Sequence, residues 1–389
     1  AGGKSNTTSP EIPLHVNLYP PDMFAFLRAL AMDSGQDPLP IDKIVSIGGY
    51  TYTKTTKQNS PKKRSLMPRN MEAEVQFDPE PYVVPDVEFV KRKRNVFTNF
   101  NLPNYVDKAF SSASCDINIL STSSIGDYTI DITFLQSNVK LITDDSLHKL
   151  LPVLAKPIVQ KIIDGASLSI SQITILNPKA KSFQVHLEGS IANSGPFNAK
   201  ISFPNGLQVE WNNKVLGQIK MPDIEVTADE GAKLRLISDF AVTDEDALTE
   251  FTKFLVTEPS FVWDIKGNNL SVSAIGITVP DVTIAKTVIL TGMNGLRNDV
   301  KILDYDLPSN DPAGGIHLTA QASVQNPSQV GIELTSFGVT AWRNGTNLGP
   351  VAARHAFTLN PRSKTHLPLS GRIMHQSGKD LDVLSHIFT

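Results

Sequence analysis

The chain has 389 residues, 40% of them apolar, and carries 36 Lys and Arg against 39 Asp and Glu for a net charge of −3. That length suggests two or three domains, each able to bury its own core. The near-neutral balance excludes a globally basic nucleic-acid or membrane binder, so any basic patch must be local.

The opening "AGGKSNTTSP" reads as the exposed start of a processed or trimmed chain, and Asn6 within it fits the N-x-Ser/Thr acceptor pattern. "PDMFAFLRALAMDSG" predicts a helix over 21–35, with Pro and Asp at its start and Gly after its last turn. Residues 54–78 lack apolar periodicity, include Lys62-Lys63-Arg64, and predict an inserted flexible loop. Next comes "YVVPDVEFVKRKRNVF" (82–97), a β-like run holding Lys91, Arg92, Lys93 and Arg94. The single cysteine, Cys115, can form neither an internal disulfide nor a Cys-based zinc site. A helix is predicted over 143–163, where Pro152 and Pro157 should break or kink it.

From there the chain alternates with period two, and strands are predicted at 167–176, 182–191, 207–211, 233–242 and 269–279. Gly, Pro and Asn punctuate them, as in "FPNG" and "NNKVLG". Thr243, three residues before Asp246, resembles a capping box opening a helix over 244–258, and a last helix is predicted over 379–388. Dense short strands argue for β-sandwiches.

The chain also repeats itself. "QVEWNNKVLG" (208–217) resembles "VTAWRNGTNLG" (339–349), and 115–138 parallels 298–326. Val-Pro-Asp-Val at 84–87 recurs at 279–282, each followed four residues later by a lysine, Lys91 or Lys286. Where the second copy has Thr287-Val288-Ile289, the first has Arg92-Lys93-Arg94, as expected of an exposed strand edge or end on which charge blocks edge-to-edge pairing. The organisation expected is therefore the end of a first β-unit (1–53), the inserted loop (54–78), a diverged β-unit (79–165), and two sandwiches, 166–268 and 269–389, each ending in an amphipathic helix.

Residues 158–389, through "ASLSISQITILNPKAKSFQVHLEGSIANSGPFNAKISF", "WNNKVLGQIKMPDIEV" and "LTGMNGLRNDVKILDYDLPSNDPAGGIHL", resemble fungal proteins with domains related to the late-embryogenesis-abundant group-two (WHy-type) β-sandwich. The resemblance implies tandem immunoglobulin-like sandwiches on the luminal side of a vacuole-like or secretory compartment. It implies membrane association through an anchor outside this chain, since no apolar run here approaches the ~18 residues that span a bilayer. It also implies an apolar groove able to hold lipid. Many sequences of this kind carry a pre-rRNA-processing label.

No catalytic motif is present. There is no Gly-x-Ser-x-Gly elbow, no phosphate-binding Gly-rich loop and no His-Glu-x-x-His, and the eight His are scattered. Asp304, Asp306 and Asp311 cluster in "DYDLPSNDPAGG" without EF-hand spacing and read as a solvated loop. The expectation is a non-enzyme without cofactor or metal.

Three functions follow as expectations. The first is a luminal protein binding or transferring lipid or another apolar ligand. The second is a scaffolding ectodomain that docks a protein partner. The third is a nuclear role tied to pre-rRNA, resting on the basic runs alone; no nucleic-acid partner is expected. The candidate sites are the acceptors Asn6, Asn269 and Asn344, and an anionic-surface contact at Lys91, Arg92, Lys93 and Arg94.

Overall fold

A computed structural model describes residues 19–50, 95–140, 146–306, 316–343 and 346–373. The chain is mainly β, with sheets in a sandwich-like arrangement and five helices among the described residues. It divides into two compact units, the first taking the described residues up to Ile158 together with Ile275–Ile277, the second the remainder.

In the first unit, helix α1 (Pro20–Asp33) matches the predicted helix to within two residues. Helices α2 (Leu39–Gly48) and α3 (Leu102–Ser111) were not legible in the sequence. Gly49 at φ +76° ends α2, a left-handed backbone that glycine adopts without a Cβ penalty. Buried Phe24, Leu27, Ile41, Ile44, Leu102 and Val106 form the core of these helices. The guanidinium of Arg28, 3% exposed, is compensated by Asp42, with Nε–Oδ1 at 2.6 Å. A hairpin follows, β1 (Ser114–Ile125) and β2 (Tyr128–Lys140). Tyr128, Ile130, Ile132 and Phe134 on alternate positions of β2 are all exposed.

Helix α4 (Ser146–Gly165) is continuous through Pro152 and Pro157, where a break or kink was expected; there is no break. Each proline forfeits a backbone bond at a cost of about 3 kcal/mol. The buried stripe Leu151, Leu154, Ala155 and Ile158, at helical spacing, offsets it.

In the second unit, an antiparallel run opens with β3 (Ser167–Leu176), β4 (Ser182–Ala192), β5 (Ala199–Ser202), β6 (Leu207–Trp211) and β7 (Lys214–Ile219). Asn212 and Asn213, at φ +47° and +61°, make the tight β6–β7 turn, a conformation that asparagine tolerates. Strands β8 (Ile224–Val226) and β9 (Ala232–Val242) lead into helix α5 (Glu245–Thr257). The cap of α5 is Asp244 rather than Thr243: its carboxylate accepts from the Ala247 N–H at 2.9 Å, while the Thr243 N–H donates back to Leu216.

Strand β10 (Ser260–Ala274) and strand β11 (Ile277–Thr291) correct the single strand expected over 269–279. That stretch is a hairpin, turning at Ile275 and Gly276 with φ +46° and +86°. Both strands change phase midway. On β10 the buried positions pass from Phe261 and Ile265 to Leu270 and Val272 across Asn269, at φ +60°. On β11 they pass from Ile277 and Val279 to Val282, Val288 and Leu290 across Asp281, at φ +53°. One extra residue in a left-handed conformation resets a period-two strand, so Val-Pro-Asp-Val is a bulge that also accommodates proline. Its first copy, 84–87, lies outside the described residues.

Strand β12 (Val300–Asp306), β13 (Ile316–Gln325), β14 (Val330–Leu334), β15 (Gly338–Arg343), β16 (Thr346–Ala353), β17 (Phe357–Leu359) and β18 (Lys364–Ile373) complete the unit. The larger sheet runs β17-β14-β3-β4-β9-β7-β6-β10-β5-β8, with β11 paired to β10. Its β14–β3 pair is parallel, Val330 opposite Ile173. Strand β10 meets β6 through Asp264–Lys266 and β5 through Ser271–Ala274. Ile173 of β3 and Ile224 of β8, near opposite ends of this order, line one cavity, so the continuous sheet folds over into two layers. The smaller sheet, β12-β13-β18-β16-β15, packs Ala322, Val324, Leu367 and Leu369 against Met293, Ile332 and Leu359.

Candidate functional site

The alternation that builds each strand of the larger sheet sends one row of aliphatic side chains inward, and the rows do not fill the space between the layers. A cavity of about 120 Å³ remains. Val185 and Leu187 of β4, Val209 of β6, Leu216 of β7, and Leu234 and Phe240 of β9 form part of its wall. Helix α5 closes one side with Leu248, Phe251, Thr252 and Leu255. Around Phe251 stand Trp211, Phe261 and Trp263, with ring centroids 5.2–5.6 Å away, the tilted and edge-on packing that aromatic quadrupoles favour.

The described lining contains no Asp, Glu, His or Cys, hence no acid–base pair and no thiol nucleophile. The hydroxyls of Ser167 and Thr252 donate to the backbone carbonyls of Ala192 and Leu248, and two further polar groups interrupt the apolar wall. Lys286 belongs to the inward row of β11, and its Nζ donates to the backbone carbonyl of Asp164 at 2.8 Å. The indole N–H of Trp263 is buried and has no hydrogen-bond partner among the described residues. The groups whose protonation is displaced lie elsewhere. Tyr105 is pushed up to about 12 by burial, then by Asp37 and Asp42. Asp223 is held below the usual carboxylate range by its hydrogen bond from Lys200.

A second, open groove is lined by Asn205, Gln208, Gln218, Lys266 and Asn268 among others, and these side chains are hydrogen-bonded within it or to the adjacent Glu210. Lys266 Nζ meets Glu210 at 2.5 Å, and Gln218 donates to the Asn205 carbonyl.

Of the residues singled out in the sequence, Asn6, Asn344 and the run Lys91, Arg92, Lys93 and Arg94 lie outside the described residues, as do the helix expected over 379–388 and the loop at 54–78. Asn269 is exposed on β10, at the bulge where the strand passes from one layer to the other. Asp304 and Asp306 are exposed on β12, and Asp311 lies outside the described residues. Among the described residues no His, Cys, Asp and Glu group is placed to hold a metal, and no helix is long and apolar enough to cross a membrane. The cavity and Lys286 were not singled out from the sequence. Counting by twos from Val282 would have placed Lys286 on the inward row.

A family model described as "Protein of unknown function (DUF3712)" matches residues 214–340, a span from β7 into β15 that includes α5 and the β10–β11 hairpin. No curated protein matches the chain.

Proposed function

We propose that the chain is a non-enzymatic binding protein that holds or transfers a lipid or other apolar ligand within its β-sandwich. The observation that carries this reading is the apolar cavity between the two layers. A dry cavity of ~150 Å³ lined by Leu, Ile and Phe is known to take up benzene or xenon, and this one, at about 120 Å³, is of the same order. Helix α5, capped by Asp244, packs over one side of the cavity through Phe251 and Leu255, where it would contact an occupant.

The finer architecture we propose is tandem immunoglobulin-like, WHy-type units, each closed by a short helix. Supporting it, the β6–β7 and β15–β16 hairpins both turn next to a tryptophan, Trp211 and Trp342, and β1–β2 and β12–β13 both carry a register shift. On this reading the chain is luminal or at the cell surface, anchored to a membrane in its full-length form. Asn6, Asn269 and Asn344 are then glycan acceptors, and Lys91–Arg94 a contact to anionic headgroups.

The test is native mass spectrometry after gentle purification, together with benzene titration followed by thermal unfolding. A co-purified apolar molecule, or a Tm that rises with benzene, supports the reading. A clean apo mass with an unmoved Tm overturns it.

A second reading, a scaffold docking partner proteins, is favoured by the exposed apolar row Tyr128, Ile130, Ile132 and Phe134 of β2. Replacing Ile130 and Phe134 by Thr and repeating a pull-down tests it: loss of partners with unchanged folding supports docking, and unchanged capture overturns it.

A further inference from the structure

The two nitrogen donors in the cavity wall, Lys286 and Trp263, share a chemistry. Past the bulge at Asp281, the inward positions of β11 are Val282, Ile284, Lys286, Val288 and Leu290, four aliphatic side chains and one lysine. A lysine is among the residues least often placed inward unless it is paired. Among the described residues Lys286 makes no ion pair, and the partner of its ammonium is a neutral backbone carbonyl. That carbonyl satisfies one of three N–H donors and fixes Nζ near the last turn of α4.

Trp263 stands on the neighbouring strand. Thr287 Oγ1 donates to Asp264 Oδ1 at 2.7 Å, which puts Asp264 and Thr287 on one face of the β10–β11 pair. The residues preceding each, Trp263 and Lys286, therefore face the other way, and both line the cavity. Lys286 is half-buried, its stem lining the cavity and its ammonium at the exposed rim. The indole N–H of Trp263, without a partner among the described residues, borders the same space from inside. Both are donors, so the missing group is an acceptor, and one lysine neutralises one negative charge.

Volume sets the remainder. A cavity of about 120 Å³ suits a short stretch of one alkyl chain and not the two chains of a membrane lipid. We propose that the ligand is a single-chain alkyl carboxylate of short to medium length, its tail in the cavity and its carboxylate on Lys286 Nζ and Trp263 Nε1. This rests on the apolar-cavity reading above.

The experiment titrates the whole chain with octanoate and with 1-octanol, which share a tail and differ in the charged head, and with benzene as a headless probe. Octanoate should bind about tenfold more tightly than octanol, the margin of one charge-assisted hydrogen bond. Lys286→Met should erase that margin while the benzene-induced rise in Tm persists, which shows that the variant folds and keeps its cavity. Trp263→Phe, which retains a ring and removes the N–H, should narrow the margin. Equal binding of octanoate and octanol, or a margin that survives Lys286→Met, overturns the head-group assignment and leaves the cavity reading standing. No response to any of the three probes overturns both.

Discussion

Gln329 donates its side-chain amide to the backbone carbonyl of Ile170 at 2.7 Å, across 159 positions of sequence. The same side chain accepts from the Thr291 N–H at 2.9 Å, and the Gln329 carbonyl accepts from the Ile173 N–H at 2.8 Å. One residue, 8% exposed, thereby joins β3, the end of β11 and the start of β14. Beside it, Asn326 and Ser328 are fully buried and hydrogen-bonded, Ser328 Oγ to the Thr291 carbonyl at 2.7 Å.

Replacing Gln329 by Leu leaves the Ile170 carbonyl and the Thr291 N–H buried without partners, at about 1–3 kcal/mol per group. The variant should lose about 2–4 kcal/mol in urea denaturation. A loss below 1 kcal/mol would show that other contacts carry the parallel pairing of β3 and β14.

The cap of α5 makes a smaller, separable contribution. Asp244→Ala removes the acceptor for the Ala247 N–H and a negative charge at the helix start, and should cost about 1 kcal/mol. Asp244→Asn, which keeps the acceptor, should recover most of it. Thr243→Ala should be near neutral, and a larger effect there would contradict the assignment of the cap.

Ile275 occupies the first position of the β10–β11 turn at φ +46°, a conformation that costs a β-branched residue roughly 1–2 kcal/mol. With Gly276 following, Ile275→Asn produces the dipeptide best suited to this turn. It should raise stability by about 1 kcal/mol, and thermal unfolding that shows no gain would place the strain elsewhere.

Tyr105 supplies a pH signature for the helical unit. Its hydroxyl donates to the Asp37 carbonyl at 2.9 Å, and burial with nearby Asp37 and Asp42 raises its pKa from 10.0 to about 12. A folded pKa above the unfolded value means that the folded state holds its proton more tightly. The contribution is fully present below pH 10 and is lost as pH rises toward 12. Tyr105→Phe should be less stable near neutrality and flatter in the pH 10–12 window. Ultraviolet titration in which all tyrosines ionise together near 10 would refute the shift.

Strand positions were readable where alternation is unbroken. β4 and β6 fall within one residue of the predicted positions because Val185 and Leu187, and Leu207 and Val209, repeat inward at period two. Reading failed where a backbone dihedral, not a side-chain pattern, decides. Ile275 in a turn has no chemical signature, so 269–279 looked like one strand. Pro38 and Pro40 disguised α2, although proline is at home in a first helical turn. The parallel β3–β14 pair was hidden because its tie is buried polar atoms at Asn326, Ser328 and Gln329 rather than apolar periodicity. The cavity was illegible for a simpler reason: the same Leu, Ile, Val and Phe line a void and fill a core.

Strand β10 belongs to both layers, through β6 on one stretch and β5 on the next. Layers stitched by a shared strand cannot part like the covers of a book without tearing its backbone hydrogen bonds. If the proposed ligand binds there, its exchange would wait for a local opening at the rim, and both entry and escape would be slowed by the same event. The sandwich would behave as a reservoir with long dwell times, whose occupancy reflects the history of its surroundings more than their composition at any moment.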